Sequence, residues 1–160
     1  MTTRMIIPTY QPTLAEFKSH IRITTSDMDV DLTNKLQAAI RAAEHYIGRI
    51  IAQSVFTYCG PYAQTLTLES PAIGVNRVLV DGVVLGESEW VLSGSELTVL
   101  TEGTTMLVEY VSGTPWVEPD IKAAVLLHAA ALFNNPVDSV EVLPKASSRL
   151  LAPYRTWGLQ

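Results

Sequence analysis

The sequence predicts an α+β protein in which a helical frame carries an inserted antiparallel β unit. Apolar residues recur with helical spacing in residues 13–48, and residues 121–133 are apolar almost throughout, whereas between residues 54 and 111 the spacing changes to two. Helices that precede and follow one block of strands are typical of this fold class. The predicted segments of this one compact domain are an N-terminal helical pair (1–51), the inserted β unit (52–114), and a central helix with a C-terminal docking segment (115–160).

The N-terminal segment predicts two helices. Thr13 and Glu16 have the spacing of a capping box, in which each side chain accepts a hydrogen bond from the other residue's backbone N–H. A longer amphipathic helix follows, and Gly48 suits its end because glycine adopts the left-handed conformation at little cost. The apolar stripe of the longer helix consists of Leu32, Leu36, Ala39, Ile40, Ala43 and Ile47.

Three aspartates precede the longer helix with the alternating spacing that opens a calcium-binding loop. They are Asp27, Asp29 and Asp31. A calcium loop needs glycine at its sixth position and glutamate at its twelfth, but Leu32 and Ala38 stand there. Acidic side chains at a helix start are favoured by the helix dipole, so we predict no metal site.

The middle segment predicts six or seven short strands. Residues 75–80 and 83–85 flank Asp81-Gly82, a dipeptide that strongly favours a two-residue hairpin turn. Charge separates this segment from the rest of the chain, because Arg77 is its only basic residue and seven residues are acidic. Such a surface repels nucleic acid, whose binding requires basic residues. The acidic residues are Glu69, Asp81, Glu87, Glu89, Glu96, Glu102 and Glu109.

The central helix is predicted to run from Pro119 to Phe133 and is apolar on every side. Only Lys122 and His128 interrupt its core. It is shorter than the ~20 residues that span a bilayer, so we predict no membrane insertion. A helix that is apolar all round must be covered all round, either inside the fold or between subunits. If subunits cover it, the candidate interface residues are Leu126, His128, Ala129 and Leu132.

The C-terminal segment predicts a short helix followed by aromatic and basic residues. Ser147 or Ser148 can cap this helix, which ends before Pro153. Aromatic and arginine side chains at a chain end tend to dock on a surface, either of the chain itself or of a partner. The candidate docking residues are Arg149, Leu150, Leu151, Tyr154, Arg155 and Trp157.

The sequence offers no convergent set of catalytic residues. Its three histidines are scattered singly, and no serine or glycine-rich loop has the context of a nucleophile or of a phosphate site. We therefore predict a protein that is not an enzyme and that binds no cofactor or metal. Cys59 is the only cysteine, and the N-terminus lacks the apolar core of an export signal, so we expect folding in a reducing cytoplasm.

Two blocks of the sequence resemble the gp6-like head–tail connector, or adaptor, proteins of tailed bacteriophages. The first block covers the two N-terminal helices and includes Leu14, Glu16, Lys18, His20, Ile21, Arg22, the acidic stretch 27–31, Leu32, Leu36, Ala39, Ile40, Ala42, Ala43, Tyr46, Gly48 and Arg49. The second block includes Pro119, Asp120, Ile121, Ala123, Ala124, Leu143, Pro144, Leu150, Leu151, Pro153, Tyr154 and Arg155. The order and spacing of the blocks carry the resemblance.

This resemblance implies a structural protein of the virion neck, at the head–tail junction, that is made in the bacterial host cytoplasm. Such proteins form a ring, usually dodecameric, beneath the portal protein. The ring extends the DNA channel without sequence-specific DNA binding and presents a surface to a head-completion, stopper or tail protein. The alternative function is a small phage-derived module that binds a protein or a carbohydrate through its β unit without forming a ring.

Overall fold

A computed structural model of the protein describes residues 1–6, 12–135 and 143–156. These residues contain four α-helices and eight β-strands, so the predicted α+β class is confirmed. The chain separates into two compact units. We call residues 9–51 and 116–160 the helical unit, and residues 1–8 and 52–115 the β unit. Within the described ranges, no helix has the length and apolar character required to cross a membrane.

The helical unit begins with the predicted capping box. Glu16 donates its backbone N–H to Thr13 Oγ1 at 3.2 Å, and the Glu16 carboxylate accepts from the Thr13 N–H at 2.8 Å. At the end of the second helix, Gly48 adopts φ +76° as predicted. The four helices are α1 (Leu14–Ile21), α2 (Asp29–Ile47), α3 (Pro119–Asn134) and α4 (Lys145–Leu151).

The core of the helical unit forms where α2, α3 and α4 pack together. The apolar stripe predicted for α2 is buried along its whole length. The core residues of the other helices are Phe17 from α1, Ile121, Ala124, Val125 and Ala129 from α3, and Leu151 from α4.

The β unit contains two antiparallel sheets. A five-stranded sheet has the order β1-β2-β8-β4-β5, and a three-stranded sheet has the order β3-β7-β6. The strands are β1 (Thr2–Ile6), β2 (Ser54–Pro61), β3 (Thr65–Thr67), β4 (Ala72–Val80), β5 (Val83–Val84), β6 (Trp90–Ser93), β7 (Glu96–Val99) and β8 (Thr105–Ser112).

Strand β1 differs from the sequence prediction, which placed residues 1–51 with the helices. Thr2–Ile6 pairs with β2 in the structure, from Thr2 opposite Tyr58 to Ile6 opposite Ser54. Arg4 fixes this pairing because its Nε donates to Ser54 Oγ at 3.0 Å and its guanidinium lies 5.4 Å from the Phe56 ring centroid. These partners are about fifty residues away along the chain, so a local pattern does not reveal the strand.

The hairpin predicted at Asp81-Gly82 joins β4 to β5. Both residues have positive φ, of 48° and 81°, as this turn type requires. The Asp81 carboxylate accepts backbone N–H bonds from Thr104 at 3.1 Å and from Thr105 at 2.8 Å. The bonds from Thr105 and Thr104 stabilise the ionised form and lower the pKa of Asp81. This turn is therefore tied to the loop that precedes β8.

Candidate assembly surfaces

Helix α4 is part of the helical unit's core. Leu151 has no exposed surface, and the buried Ser147 Oγ donates to the Ala124 carbonyl of α3 at 3.0 Å. The prediction that Ser147 or Ser148 caps this helix is wrong, because α4 begins at Lys145 and has no side-chain cap. The Ser147 hydroxyl bonds α3 instead, and the Ser148 hydroxyl bonds the Lys145 carbonyl within its own helix.

The residues after α4 pack on the C-terminal end of α2. Arg49 lies 5.9 Å from the Tyr154 ring centroid and pairs with Glu118 at 3.3 Å. Tyr154 Oη donates to the Asp120 carboxylate at 3.3 Å. Desolvation and then the negative charge of Asp120 raise the pKa of Tyr154, so the phenol stays protonated.

Residues 155 and 156 close this contact. Arg155 lies 5.3 Å from the Tyr46 ring centroid, and Thr156 donates both its N–H and its hydroxyl to the Ile47 carbonyl at 2.8 Å. A Cβ on Gly48 would lie 2.6 Å from Thr156 Oγ1, so the close approach requires glycine. Of the two docking modes that the sequence left open, the described part of this segment adopts docking on the chain itself.

The six candidate docking residues differ in exposure. Arg149 and Arg155 are exposed, Leu150 and Tyr154 are half-buried, and Leu151 is fully buried. Trp157 lies outside the described residues. The side chain of Leu151 therefore serves the fold and presents no surface to a partner.

Helix α3 has one buried side and one half-exposed side. His128 and Ala129 belong to the buried side, whereas Leu126 and Leu132 are half-exposed and Leu127 is exposed. The four candidate interface residues thus divide evenly between the protein interior and the surface. Leu132 follows His128 by four residues on the buried side of the helix, whereas Leu126 lies next to Leu127 on the side that reaches solvent.

His128 is buried without a polar partner. Its side chain is 4% exposed, and neither ring nitrogen forms a hydrogen bond with any residue of the described ranges. Burial disfavours the charged imidazolium and lowers the pKa of His128. The histidine is therefore held neutral at physiological pH.

Two of the three aspartates at the start of α2 are in ion pairs. Asp29 binds Lys18 at 2.6 Å and Asp31 binds Lys35 at 2.6 Å. No cluster of potential metal ligands occurs among residues 1–6, 12–135 and 143–156.

Another ion pair joins Glu16 to Lys122 at 2.7 Å. Burial opposes ionisation of Glu16, but hydrogen bonds from Lys122 and Thr13 outweigh it and lower the pKa of this carboxyl.

The carboxylates of the β unit are on its surface. Five of the seven are exposed, and Glu89 and Glu109 are half-buried. Glu109 is paired with Arg77 at 3.4 Å on the five-stranded sheet. The exposed carboxylates are those of Glu69, Asp81, Glu87, Glu96 and Glu102.

Sequence reasoning missed an apolar surface on the five-stranded sheet. In β8, residues at even positions from Met106 to Ser112 are buried, and those at odd positions from Leu107 to Val111 are half-exposed. Pairing register places the odd positions of β8 beside residues of the same face in β2 and β4, and places those residues beside β1 and β5. We call this surface the outer sheet face and define it by Met5, Val55, Leu79, Val84, Leu107 and Val111.

A signal for this surface is present in the sequence. Strands with one face in solvent alternate apolar and polar residues, whereas strands covered on both faces are apolar almost throughout. Residues 106–108 are Met-Leu-Val and residues 78–80 are Val-Leu-Val. Over these three residues, each of the two adjacent strands therefore has the composition of a strand that is covered on both faces.

Comparisons with known proteins agree with the connector resemblance. Residues 11–73 match the sequence model of a family described as "Phage gp6-like head-tail connector protein". No curated protein sequence matches the chain.

Three similar solved structures come from gene transfer agent (GTA) particles. The neck of the native particle, computed with C12 symmetry, contains a chain that is 20% identical with a TM-score of 0.73. In the neck of the empty particle, computed with C6 symmetry, the matching chain is 22% identical with a TM-score of 0.72. In the virion of the native particle it is 21% identical with a TM-score of 0.71. Each match covers 100% of this chain and 97% of the other. At these identities the likeness establishes the fold.

The resemblance to gp6-like head–tail connectors is therefore confirmed: residues 11–73 match the sequence of that family of structural, non-enzymatic proteins, and the whole chain has the fold of a chain found in the solved necks.

Proposed function

We propose that this protein is a structural head–tail connector that forms a dodecameric ring beneath the portal, in the neck of a virion. The observation that carries the proposal is the likeness of the whole chain to a chain in a neck computed with C12 symmetry. The family match over residues 11–73 supports the same function independently of the fold. In this function the ring extends the DNA channel and gives a head-completion, stopper or tail protein a surface to bind.

The charge of the β unit suits a channel through which DNA passes without sequence-specific binding. The unit contains seven acidic residues and two basic residues, a net charge of −5. DNA phosphates gain no favourable contact from exposed carboxylates and slide past them. We assign this role to the exposed acids in the turns, such as Asp81, Glu87 and Glu102.

Portal docking is assigned to the side of the C-terminal segment that faces solvent. Arg149, Leu150, Tyr154 and Arg155 retain exposed surface there. Arginine and tyrosine are enriched among residues that dominate the energy of protein interfaces. Because Leu151 is part of the core, the test uses surface variants rather than a truncation through α4. Arg149→Glu should weaken portal binding, whereas Arg41→Glu, which changes an exposed arginine on α2, should not.

The half-exposed side of α3 is the proposed contact between neighbouring copies in the helical unit. Leu126 lies on this side next to the exposed Leu127, whereas Leu132 follows the buried His128 by four residues and is half-exposed near the C-terminal end of the helix. A closed ring joins one patch to a different patch on the next copy, so this side of α3 and its partner surface need not be alike.

The decisive experiment combines the protein with purified portal and counts the bound copies by electron cryomicroscopy. Twelve copies in a ring on each portal would support the connector function. Removal of the gene from the parent phage should leave DNA-filled heads without tails. A protein that stays monomeric with portal present, and whose loss leaves tailed particles intact, would overturn the proposal.

The β unit gives the binding-module alternative less support. Its cleft at Tyr62, Gln64, Leu100, Glu102 and Gly103 has a volume of about 280 Å³. Small-molecule sites occupy roughly 300–1,000 Å³ and enclose most of their ligand, so this cleft is at the lower limit of that range. A carbohydrate that saturates this cleft, with no binding to portal, would favour the module.

A further inference from the structure

We propose that the outer sheet face of the β unit is a contact between copies of this chain. This inference rests on the proposed ring and adds a surface for its lateral contacts. The face has two apolar rows that run across the strands. In one row, Leu107 lies between Leu79 and Cys59. In the other, Val55 lies between Val111 and Met5. Met5 and Val84, on the two edge strands, are 65% and 63% exposed.

The outer sheet face consists of two apolar rows with a polar row between them. Thr3, Thr57, Glu109 and Arg77 form the polar row. Five strands at a spacing of about 4.8 Å, over about five residues of each strand, cover at most roughly 400 Å², and the apolar rows occupy part of that area. A standard interface uses about 800 Å² from each partner. The face therefore provides at most about half of one side of a standard interface.

Within the proposed ring, charge favours the outer sheet face as the place where the β units of two copies meet. A ring brings together β units that each have a net charge of −5, and like charges at a contact are unfavourable. The outer sheet face has one carboxylate, Glu109, which is paired with Arg77 at 3.4 Å. The other six carboxylates of the unit lie in turns or on the three-stranded sheet. The face is therefore a neutral surface through which two acidic units can meet.

A small hollow lies beside the row that contains Leu79, Leu107 and Cys59. It has a volume of about 190 Å³ and is lined by Cys59, Leu79, Gly82, Thr105, Met106 and Leu107. This volume accommodates one aliphatic or aromatic side chain. Apolar anchors that fill such hollows dominate the energy of many interfaces.

The three-stranded sheet provides a matched control surface. Leu97 and Val99 of β7 are buried, so Thr98 lies on the opposite side, between Thr65 and Val91. This surface has the same strand geometry but is rich in threonine. A contact that depends on the apolar character of the outer sheet face should be insensitive to changes at Thr98.

The test uses the single cysteine, which is exposed on the outer sheet face. The wild-type protein is labelled at Cys59 with a benzophenone maleimide, assembled on purified portal and irradiated. The control carries Cys59→Ser and Thr98→Cys and is labelled at position 98. We expect covalent dimers of this chain from position 59 and few from position 98. Cross-links from position 59 to portal alone, or equal yields of dimer from both positions, would overturn the inference and leave the ring intact.

Charge variants give a second measurement. Leu107→Glu and Val84→Glu should each lower the number of copies retained on portal at least about tenfold, because an unpaired carboxylate would be buried in the contact. Thr98→Glu should retain the wild-type number. Thermal unfolding of the variants establishes that they fold, and Val84, being largely exposed, has little role in the core. Full rings with both variants would overturn the inference, whereas a wild-type protein that never assembles on portal would overturn the ring as well.

Discussion

The two units use their apolar residues in different ways. In the helical unit, α3 has apolar residues on every side, yet His128 and Ala129 are buried and only part of the helix reaches solvent. In the β unit, the five-stranded sheet buries one face and leaves Met5 and Val84 of the other face largely exposed. Hydrophobic content alone therefore does not identify an assembly surface. The distinction depends on which apolar residues the chain's own fold leaves uncovered.

The same distinction separates stability from assembly. Substitution of a covered residue should change the free energy of unfolding, whereas substitution of an uncovered apolar residue should change the association of copies. The predictions below test this separation, beginning with the largest expected effect.

The largest effect is expected from Leu151→Ala in the helical unit. Leu151 is fully buried, and removal of such a side chain should lower the free energy of unfolding by about 2–5 kcal/mol. The matched control is Leu100→Ala, the same substitution at a residue that is 60% exposed in the β unit, which should have an effect within about 0.5 kcal/mol. Urea denaturation of both variants measures the difference. Similar effects would show that the C-terminal helix is not part of the core.

A second prediction concerns the contact between the end of α2 and Thr156. Gly48→Ala places a Cβ in the left-handed region, at a cost of about 1–2 kcal/mol, and also 2.6 Å from Thr156 Oγ1. Gly82→Ala has a similar φ and no atom within 4 Å of the new Cβ, so it should cost only the backbone strain.

The double variant Gly48→Ala with Thr156→Ala isolates the steric part of this effect. When the threonine hydroxyl is removed, Gly48→Ala should lower the free energy of unfolding only as much as Gly82→Ala does. A double-mutant cycle measured by urea denaturation tests this. Additive effects of the two substitutions would mean that Thr156 does not pack on Gly48.

Local patterns in the sequence predicted most of the fold. The Thr13 capping box, the α2 stripe, the Gly48 helix end and the Asp81-Gly82 turn depend on residues within a few positions of one another, and all four are confirmed. Strand β1 depends instead on pairing with β2, about fifty residues away. Serine is a common helix-capping residue, but the Ser147 hydroxyl donates a hydrogen bond to a carbonyl of α3. That partner is not in the local sequence.

Prediction of the candidate assembly residues was limited for a related reason. Apolar spacing showed that α3 must be covered, but whether the cover is the chain itself or another subunit depends on tertiary packing. His128, Ala129 and Leu151 are covered by the chain. The outer sheet face was missed because its rows combine residues of five strands, which sequence order separates and only the pairing register brings together.

The buried histidine gives the helical unit a predicted pH dependence. The folded state lowers the pKa of His128 below 6.5, so its contribution to stability is complete above about pH 6.5 and is lost as the pH falls toward the folded-state pKa. The free energy of unfolding should decrease by up to ~1.4 kcal/mol per pH unit in that range.

His128→Leu should remove this dependence, since it replaces an unpartnered imidazole with an apolar side chain. His45→Gln, at an exposed histidine of α2, is the control and should retain it. Urea denaturation at pH 7.5 and pH 5.5 compares the three proteins. An unchanged pH dependence in His128→Leu would show that other groups cause it.

The smallest effect is expected from Ser147→Ala, which removes the buried hydrogen bond to the Ala124 carbonyl. The loss of one such bond should lower the free energy of unfolding by about 1 kcal/mol. Ser148→Ala is the neighbouring control, because its hydroxyl bonds the Lys145 carbonyl on the exposed side of the same helix and alanine is the better helix former. Ser148→Ala should therefore be neutral or slightly stabilising. Equal effects of the two substitutions would mean that the hydrogen bond between α4 and α3 adds nothing to stability. The difference between the covered residues of the helical unit and the uncovered residues of the sheet would then depend on apolar packing alone.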